Sequence, residues 1–243
     1  MAILEDQATI LAHLSQGEIE VSGQFMWGSN YTFLCSISYQ DETIQAVYKP
    51  TRGERPLWDF PNETLAGREV AAYLISQAGG WEMVPPTVYR EDAPAGPGSL
   101  QLFIEHDPDY HFLNFSADDK ARTRAVALFD AVANNTDRKA GHVLVGEDHH
   151  LWLIDHGVCF HTHPKLRTVI WDFAGQPLTE AEQTQLSELR TALASNSKLL
   201  EDLNEYLSHR EILAVIRRID QLLESGCFPY PDENRPHMPW PPV

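Results

Sequence analysis

Asn134-Asn135-Thr136-Asp137-Arg138-Lys139-Ala140-Gly141-His142-Val143-Leu144-Val145, with Leu153-Ile154-Asp155-His156-Gly157 a few residues on, is the most informative stretch of this 243-residue chain. An apolar helical pattern over 118–134, with Ala125, Val126, Phe129, Val132 and Ala133 on one face, runs into N-N-T-D-R. Two short apolar strands, 142–145 and 151–154, follow around the turn Gly146-Glu147-Asp148, and an acid with a glycine two residues later closes the unit. Such a hairpin can bring Asp137, His142 and Asp155 to one edge. Two carboxylates and an imidazole there can hold a divalent metal beside a base. The same letters also fit a helix end followed by a surface turn, since Asx-rich turns are common.

Upstream the pattern is β-rich. After a short helical stretch over 1–16 come strand signals at 19–21, 31–37, 43–49, 84–89 and 99–104, with one helix inserted over 64–78. Pro50 ends the strand Thr43–Lys49, because proline donates nothing to a ladder. Gly79-Gly80 stands where a helix C-cap is expected. Lys49 closes its strand and Glu69 lies 20 residues later, in the helix that would lie against the sheet. A strand lysine and a helix glutamate can pair and aim the ammonium at a phosphate. An exposed strand-end lysine and a solvated helix glutamate would read the same way. Downstream of the hairpin, 179–194, 197–208 and 210–224 read as helices. A β-rich part followed by an α-rich part is α+β architecture, with the natural place for a cleft near 105–116.

Composition narrows the functions. Eighteen Lys+Arg against 35 Asp+Glu leave a net charge of −17. Such a chain repels nucleic-acid backbones and anionic membrane surfaces. No window reads as a membrane span, and MAILEDQATI does not read as a signal peptide. Three cysteines, odd in number and far apart, suit a reducing cytoplasm. There is no G-x-x-x-x-G-K-[ST], no G-x-G-x-x-G after a strand and no G-x-S-x-G, which argues against P-loop, Rossmann and α/β-hydrolase chemistry.

Taken in order, Val47-Tyr48-Lys49-Pro50, Arg68-Glu69-Val70-Ala71-Ala72-Tyr73-Leu74, Asn135-Thr136-Asp137-Arg138 and Leu153-Ile154-Asp155-His156-Gly157 resemble the protein-kinase-like fold. Within it they resemble the phosphatidylinositol 3-/4-kinase-like branch, closest to a prokaryotic group related to type II phosphatidylinositol 4-kinases. The resemblance spans roughly residues 20–175. It implies a two-lobed fold: a β-rich N-terminal lobe over 1–105, a helical C-terminal lobe over 106–228 and a proline-rich tail over 229–243. It implies an ATP-dependent phosphotransferase using Mg²⁺ or Mn²⁺. Lys49 would contact the α/β-phosphates and pair with Glu69. Gly28 to Tyr31, with Ser29 and Asn30, would cover the phosphates. Ile104, Glu105 and His106 would face the adenine through backbone groups. Asp137 would take or position the proton of the attacking hydroxyl, and Asp155 would hold the metal. Lys139, two residues past Asp137, reads apart from the resemblance either as the charge that neutralises the transferring phosphate or as a solvated turn lysine.

Three departures from that pattern stand out. D-F-G reads Asp155-His156-Gly157. His142 fills the place of the usual asparagine; since Mg²⁺ prefers oxygen, either Mn²⁺ suits this site better or one metal suffices. The glycine-rich loop is poor. The acceptor is read as a soluble small molecule or a protein hydroxyl, because the charge opposes docking on an anionic leaflet. Two alternatives remain beside this reading: a nucleotide-binding pseudokinase, and a metal-dependent hydrolase built on His142, His149, His150, His156, His161 and His163. His161, Lys165 and Arg167 are candidates for gripping an acidic substrate group, or form a surface loop.

Overall fold

The computed structural model describes residues 7–24, 31–195 and 197–243. It opens with helix α1 (Gln7–Gln16), strands β1 (Glu18–Gln24), β2 (Phe33–Tyr39) and β3 (Glu42–Pro50), helix α2 (Leu65–Ala78), and strands β4 (Thr87–Arg90) and β5 (Gly98–Leu102). The five strands form one antiparallel sheet in the order β1-β2-β3-β5-β4. Successive side chains of a strand leave on opposite faces. Cys35, Ile37, Ala46, Tyr48 and Leu100 therefore share one face, where they bury Leu14 of α1. Val47 and Lys49 take the other face and line the cleft. Gly98 lies opposite Pro50 at the end of β3, and a Cβ there would come 2.4 Å from the Lys49 carbonyl oxygen. Glycine thus lets β5 close onto the strand end that carries Lys49.

The rest of the chain is mostly helical. Helices α3 (Ala117–Arg122) and α4 (Arg124–Ala133) precede a two-stranded ladder, β6 (Val143–Val145) and β7 (Leu151–Leu153). Helices α5 (Glu180–Ala194), α6 (Lys198–Leu203) and α7 (His209–Ser225) follow. Phe129 and Val132 of α4, Leu186 and Leu189 of α5, and Val215 and Ile219 of α7 are fully buried in one cluster. Ala71, Ala72 and Ile75 of α2 join the same cluster, so α2 is packed from both parts of the molecule. Arg68, 1% exposed, bolts it in place: its guanidinium donates to Glu211 at the start of α7 (2.5 Å) and to the Cys159 carbonyl (2.8 Å).

Three elements differ from the sequence expectation. The helix over 118–134 is two helices, because the chain turns at buried Thr123, whose hydroxyl donates to the Lys120 carbonyl at 2.6 Å. The helix over 197–208 stops at Leu203, and Ser208 with Glu211 forms a capping box that starts α7 afresh. The strand over 84–89 begins only at Thr87, since Pro85 and Pro86 have no N–H to give. Gly80, at φ +67°, ends α2 as the doublet Gly79-Gly80 foretold.

Candidate active site

A cleft of about 630 Å³ opens between the sheet and the helical part. Lys49 comes from the end of β3 and Glu69 from the second turn of α2; their side chains meet at 2.5 Å. Asp155, just past β7, accepts from the same ammonium at 3.1 Å. Residues far apart in sequence thus form one acid–base–acid bridge across the cleft. Burial pulls the Lys49 ammonium down, but the facing charges of Asp155 and Glu69 outweigh it and hold the lysine protonated. The Lys49 charge in turn keeps the Asp155 carboxyl well below the usual carboxylate range, and half of that side chain remains exposed to the cleft. Asp155 sits at φ +62°, a left-handed conformation rare for residues with a side chain. The chain on either side holds it there: the Ile154 N–H donates to the His142 carbonyl at 3.1 Å and the His156 N–H to Glu69 at 2.9 Å.

The loop between α4 and β6 supplies the other groups. Asn134 ends α4 in the left-handed conformation, and its side chain secures the segment 161–165 through the His161 and His163 carbonyls and the Lys165 N–H. Asp137 lies 3.6 Å from Lys139. Burial raises the Asp137 carboxyl to about 6; Lys139 pulls it down and Asp155 pushes it up. His142 lies 3.4 Å from the second Asp155 oxygen. Burial lowers the imidazole to about 4, so it is neutral at pH 7. Its Nδ1 accepts from the Lys139 N–H at 3.4 Å, which leaves the proton on Nε2, facing Asp155.

Beneath the loop is a side-chain network that the sequence reading left open. Arg138 is fully buried and forms a fork with equally buried Asp130 of α4, at 3.0 to 3.1 Å. The same guanidinium reaches the His142 and Ile154 carbonyls (3.2 and 2.9 Å) and the His156 ring (2.7 Å). One arginine therefore joins the Asp137 loop to the Asp155 segment. The acid that pairs with Arg138 lies in α4. Its sequence signal was an acid inside the apolar run Leu128-Phe129-Asp130-Ala131-Val132.

Lys49, Glu69, Ile104, His106, Asp137, Lys139, His142 and Asp155 all line the cleft. Glu105 is exposed and its side chain takes no part in that lining. Ser29 and Asn30 lie outside the described residues. Val47 above and Leu144 and Ile154 below give the cleft apolar walls that the motif reading did not name. The six histidines do not converge. His150 contacts the Glu82 carbonyl (3.0 Å), His156 is buried behind Asp155, and the His161 ring lies tilted against His163 and edge-on to Phe60. Among the described residues no group of three or more His, Cys, Asp or Glu is gathered as a metal site.

The tail returns to this region. Pro242 accepts from the Ala140 N–H at 2.8 Å, and the His237 carbonyl accepts from the Thr168 N–H and the Trp171 ring nitrogen, both at 3.1 Å. Arg235 donates to the Pro164 carbonyl at 2.9 Å. The loop bearing Asp137 and the segment after Asp155 are thus strapped from outside. Among the described residues no helix is long and apolar enough to cross a membrane.

The sheet, the α2 glutamate–β3 lysine pair and the helical half define a protein-kinase-like α+β fold. Two crystal structures of the Golgi casein kinase share it. The one with Mn/ADP bound gives a TM-score of 0.58 at 16% identity, over 98% of this chain and 80% of that one. The other gives 0.55 at 15% identity, over 93% and 75%. In sequence, the chain belongs to the family of protein Rv2133c of Mycobacterium tuberculosis, with 38% identity over 99% of this chain and 97% of that protein. Over shorter stretches the chain is similar to two plant proteins. Phosphatidylinositol 4-kinase gamma 4 of Oryza sativa subsp. japonica is 34% identical over 38% of this chain and 20% of that protein. Phosphatidylinositol 4-kinase gamma 8 of Arabidopsis thaliana is 28% identical over 50% of this chain and 28% of that protein. No protein-family model matches the chain.

Proposed function

We propose that this protein is an ATP-dependent phosphotransferase acting on a hydroxyl group. The observation that carries the reading is the bridge Glu69–Lys49–Asp155, which presents one cation and one cleft-facing carboxylate beside Asp137. Val47, Leu144 and Ile154 would sandwich the adenine, with backbone groups of Ile104 to His106 at its edge. Lys49 would bind the α/β-phosphates. The acceptor oxygen bonds to the γ-phosphorus as the bond to the β-phosphate oxygen breaks. Asp137 receives the hydroxyl proton, and ADP leaves with the electron pair. Lys139 offsets charge on the moving phosphoryl group. Catalysis of this kind is mostly positioning and electrostatics.

A divalent ion fits the donor set only as part of a metal–nucleotide complex. Asp155 is ionised and faces the cleft, but among the described residues no third His, Cys, Asp or Glu gathers with it and His142 as a metal ligand. Asp155 would hold the ion, and His142 would join only after its Nε2 proton moves to Nδ1, which favours Mn²⁺ over Mg²⁺. When bound, such an ion neutralises phosphate charge.

The test is a thermal shift of the purified protein with ATP plus Mn²⁺, ATP plus Mg²⁺, ATP plus chelator and metal alone, repeated on Asp155→Ala. A ligand that binds only the folded state raises the midpoint. The expected result is a metal-dependent ATP shift that Asp155→Ala abolishes, followed by release of ADP from γ-labelled ATP. ATP binding without any ADP release favours the pseudokinase alternative, and no ATP shift with any metal removes both.

A further inference from the structure

The cleft has a second chemical character that ATP leaves unused. It is lined by five of the chain's 18 Lys+Arg but only five of its 35 Asp+Glu among the described residues. In a chain of net charge −17, this is a place where an anion meets no net repulsion. Three of the cations already have acidic partners there: Lys49 with Glu69 and Asp155, Lys139 with Asp137, and Lys165 with Asp59. Arg167 differs. Among the described residues no side-chain hydrogen bond or ion pair holds its guanidinium, while its backbone is fixed on both sides. Its N–H donates to the Asn135 carbonyl (2.9 Å), and its carbonyl accepts from the Arg138 N–H (3.0 Å). Those bonds set Arg167 beside the Asp137 loop, close enough for its charge to pull the Asp137 carboxyl down.

An aromatic plate stands on the same cleft. Trp58, in the loop between β3 and α2, is 92% exposed yet lines the cavity. The Lys165 ammonium lies 4.8 Å from its ring centre, and Asp59 beside it holds that ammonium. The ring is thereby oriented without being covered. An indole left open to water beside a cleft has little stabilising role in the fold, because its large apolar area stays in solvent. His161, by contrast, does not line the cleft; its ring rests against Phe60.

We propose that Trp58 and Arg167 form the acceptor subsite, and that the acceptor is a sugar-like ring carrying a phosphate or carboxylate. The C–H face of the ring lies on Trp58, the anionic group pairs with Arg167, and a ring hydroxyl is offered to Asp137. Arg suits this role because its guanidinium binds phosphate and carboxylate in a two-pronged fashion. The inference rests on the phosphotransferase reading, and its test separates the two.

Binding is measured by titration calorimetry of wild type, Arg167→Ala and Trp58→Ala with five probes. These are glucose 6-phosphate, glucuronate, glucose, glycerol 3-phosphate and inorganic phosphate. The ATP thermal shift is recorded on the same preparations. At least one of the two sugar anions is expected to bind tenfold or more tighter than glucose, glycerol 3-phosphate and inorganic phosphate; which one it is tells phosphate from carboxylate. Arg167→Ala is expected to lower that affinity at least tenfold, Trp58→Ala to remove the preference for the ring, and both to keep the ATP shift. Bound sugar anion is also expected to shield Trp58 from acrylamide quenching. Absence of sugar-anion binding, or equal binding by Arg167→Ala, overturns the subsite. Equal binding of glycerol 3-phosphate overturns the ring. Loss of the ATP shift in wild type itself would instead strike the phosphotransferase reading, whatever the sugar anions do.

Discussion

Replacing Lys49 with methionine separates the roles placed on the central bridge, because two ligands should respond in opposite directions. Lys49 donates to Glu69 and Asp155 at 2.5 and 3.1 Å. If it also binds ATP phosphates, its loss removes a charge-assisted hydrogen bond, ~1.5–3 kcal/mol. That corresponds to ATP binding weaker by roughly 10- to 150-fold. The same substitution removes a cation that competes with a metal ion for Asp155. Unit charges 4 Å apart interact by about 1 kcal/mol in water and ~4 kcal/mol at an effective dielectric constant of 20. Asp155 is half exposed, which places the effect near the lower figure. Mn²⁺ alone should therefore bind up to about tenfold tighter to Lys49→Met. The fold should survive. Removing one member of a fully buried pair costs about 3–5 kcal/mol; Glu69 is buried but Lys49 and Asp155 are partly exposed, so the cost stays within or below that range. Circular dichroism checks folding, calorimetry gives the ATP affinity, and electron paramagnetic resonance of free Mn²⁺ gives the metal affinity. Unchanged ATP affinity in a folded variant would refute contact between Lys49 and the phosphates. Mn²⁺ binding that is unchanged or weaker would refute the competition at Asp155.

Other outcomes follow from the same geometry. If Asp137 is the base, kcat/KM should be level at neutral pH and fall tenfold per unit below about 6, where its carboxyl becomes protonated. His142 stays neutral down to about 4 and adds nothing in that window. Lys139→Met should move the break to higher pH, and a profile level down to pH 5 would contradict the assignment. Arg138→Met leaves Asp130 buried without its partner and should cost about 3–5 kcal/mol in urea unfolding; a loss under about 1 kcal/mol would mean that the network does not hold the loop. Deleting residues 229–243 removes the acceptors of the Ala140 and Thr168 N–H groups. Hydrogen exchange at those two amides should accelerate and phosphoryl transfer should slow, with the ATP shift retained; unchanged exchange would mean that the strap does not order the loop.

The sequence reached a good part of this. Period-two alternation in Thr43–Lys49 told which strand residues share a face, and therefore that Val47 and Lys49 look the same way. The glycine pair after Ala78 is local chemistry and was read from its neighbours alone. The ordered fragments around Lys49, Glu69, Asp137 and Asp155 were enough to suggest a protein-kinase-like fold, which the solved neighbours share. The breaks at Thr123 and Leu203 escaped because helical periodicity continues across both.

The sequence by itself determined the inventory: the strand lysine, the helix glutamate, the acids flanking a hairpin and a strongly negative charge. Such features depend on residue type and on spacing within one element. Only the tertiary structure decided which of them meet. It paired Arg138 with Asp130, tied α2 to α7 through Arg68, brought the tail back to Ala140, scattered the six histidines and placed Arg167 on the cleft that Trp58 also lines. Charge pairing depends on distances of a few ångströms between segments up to 143 residues apart, as for Arg68 and Glu211. Those distances are set by how the sheet and helices pack, and no local pattern encodes them.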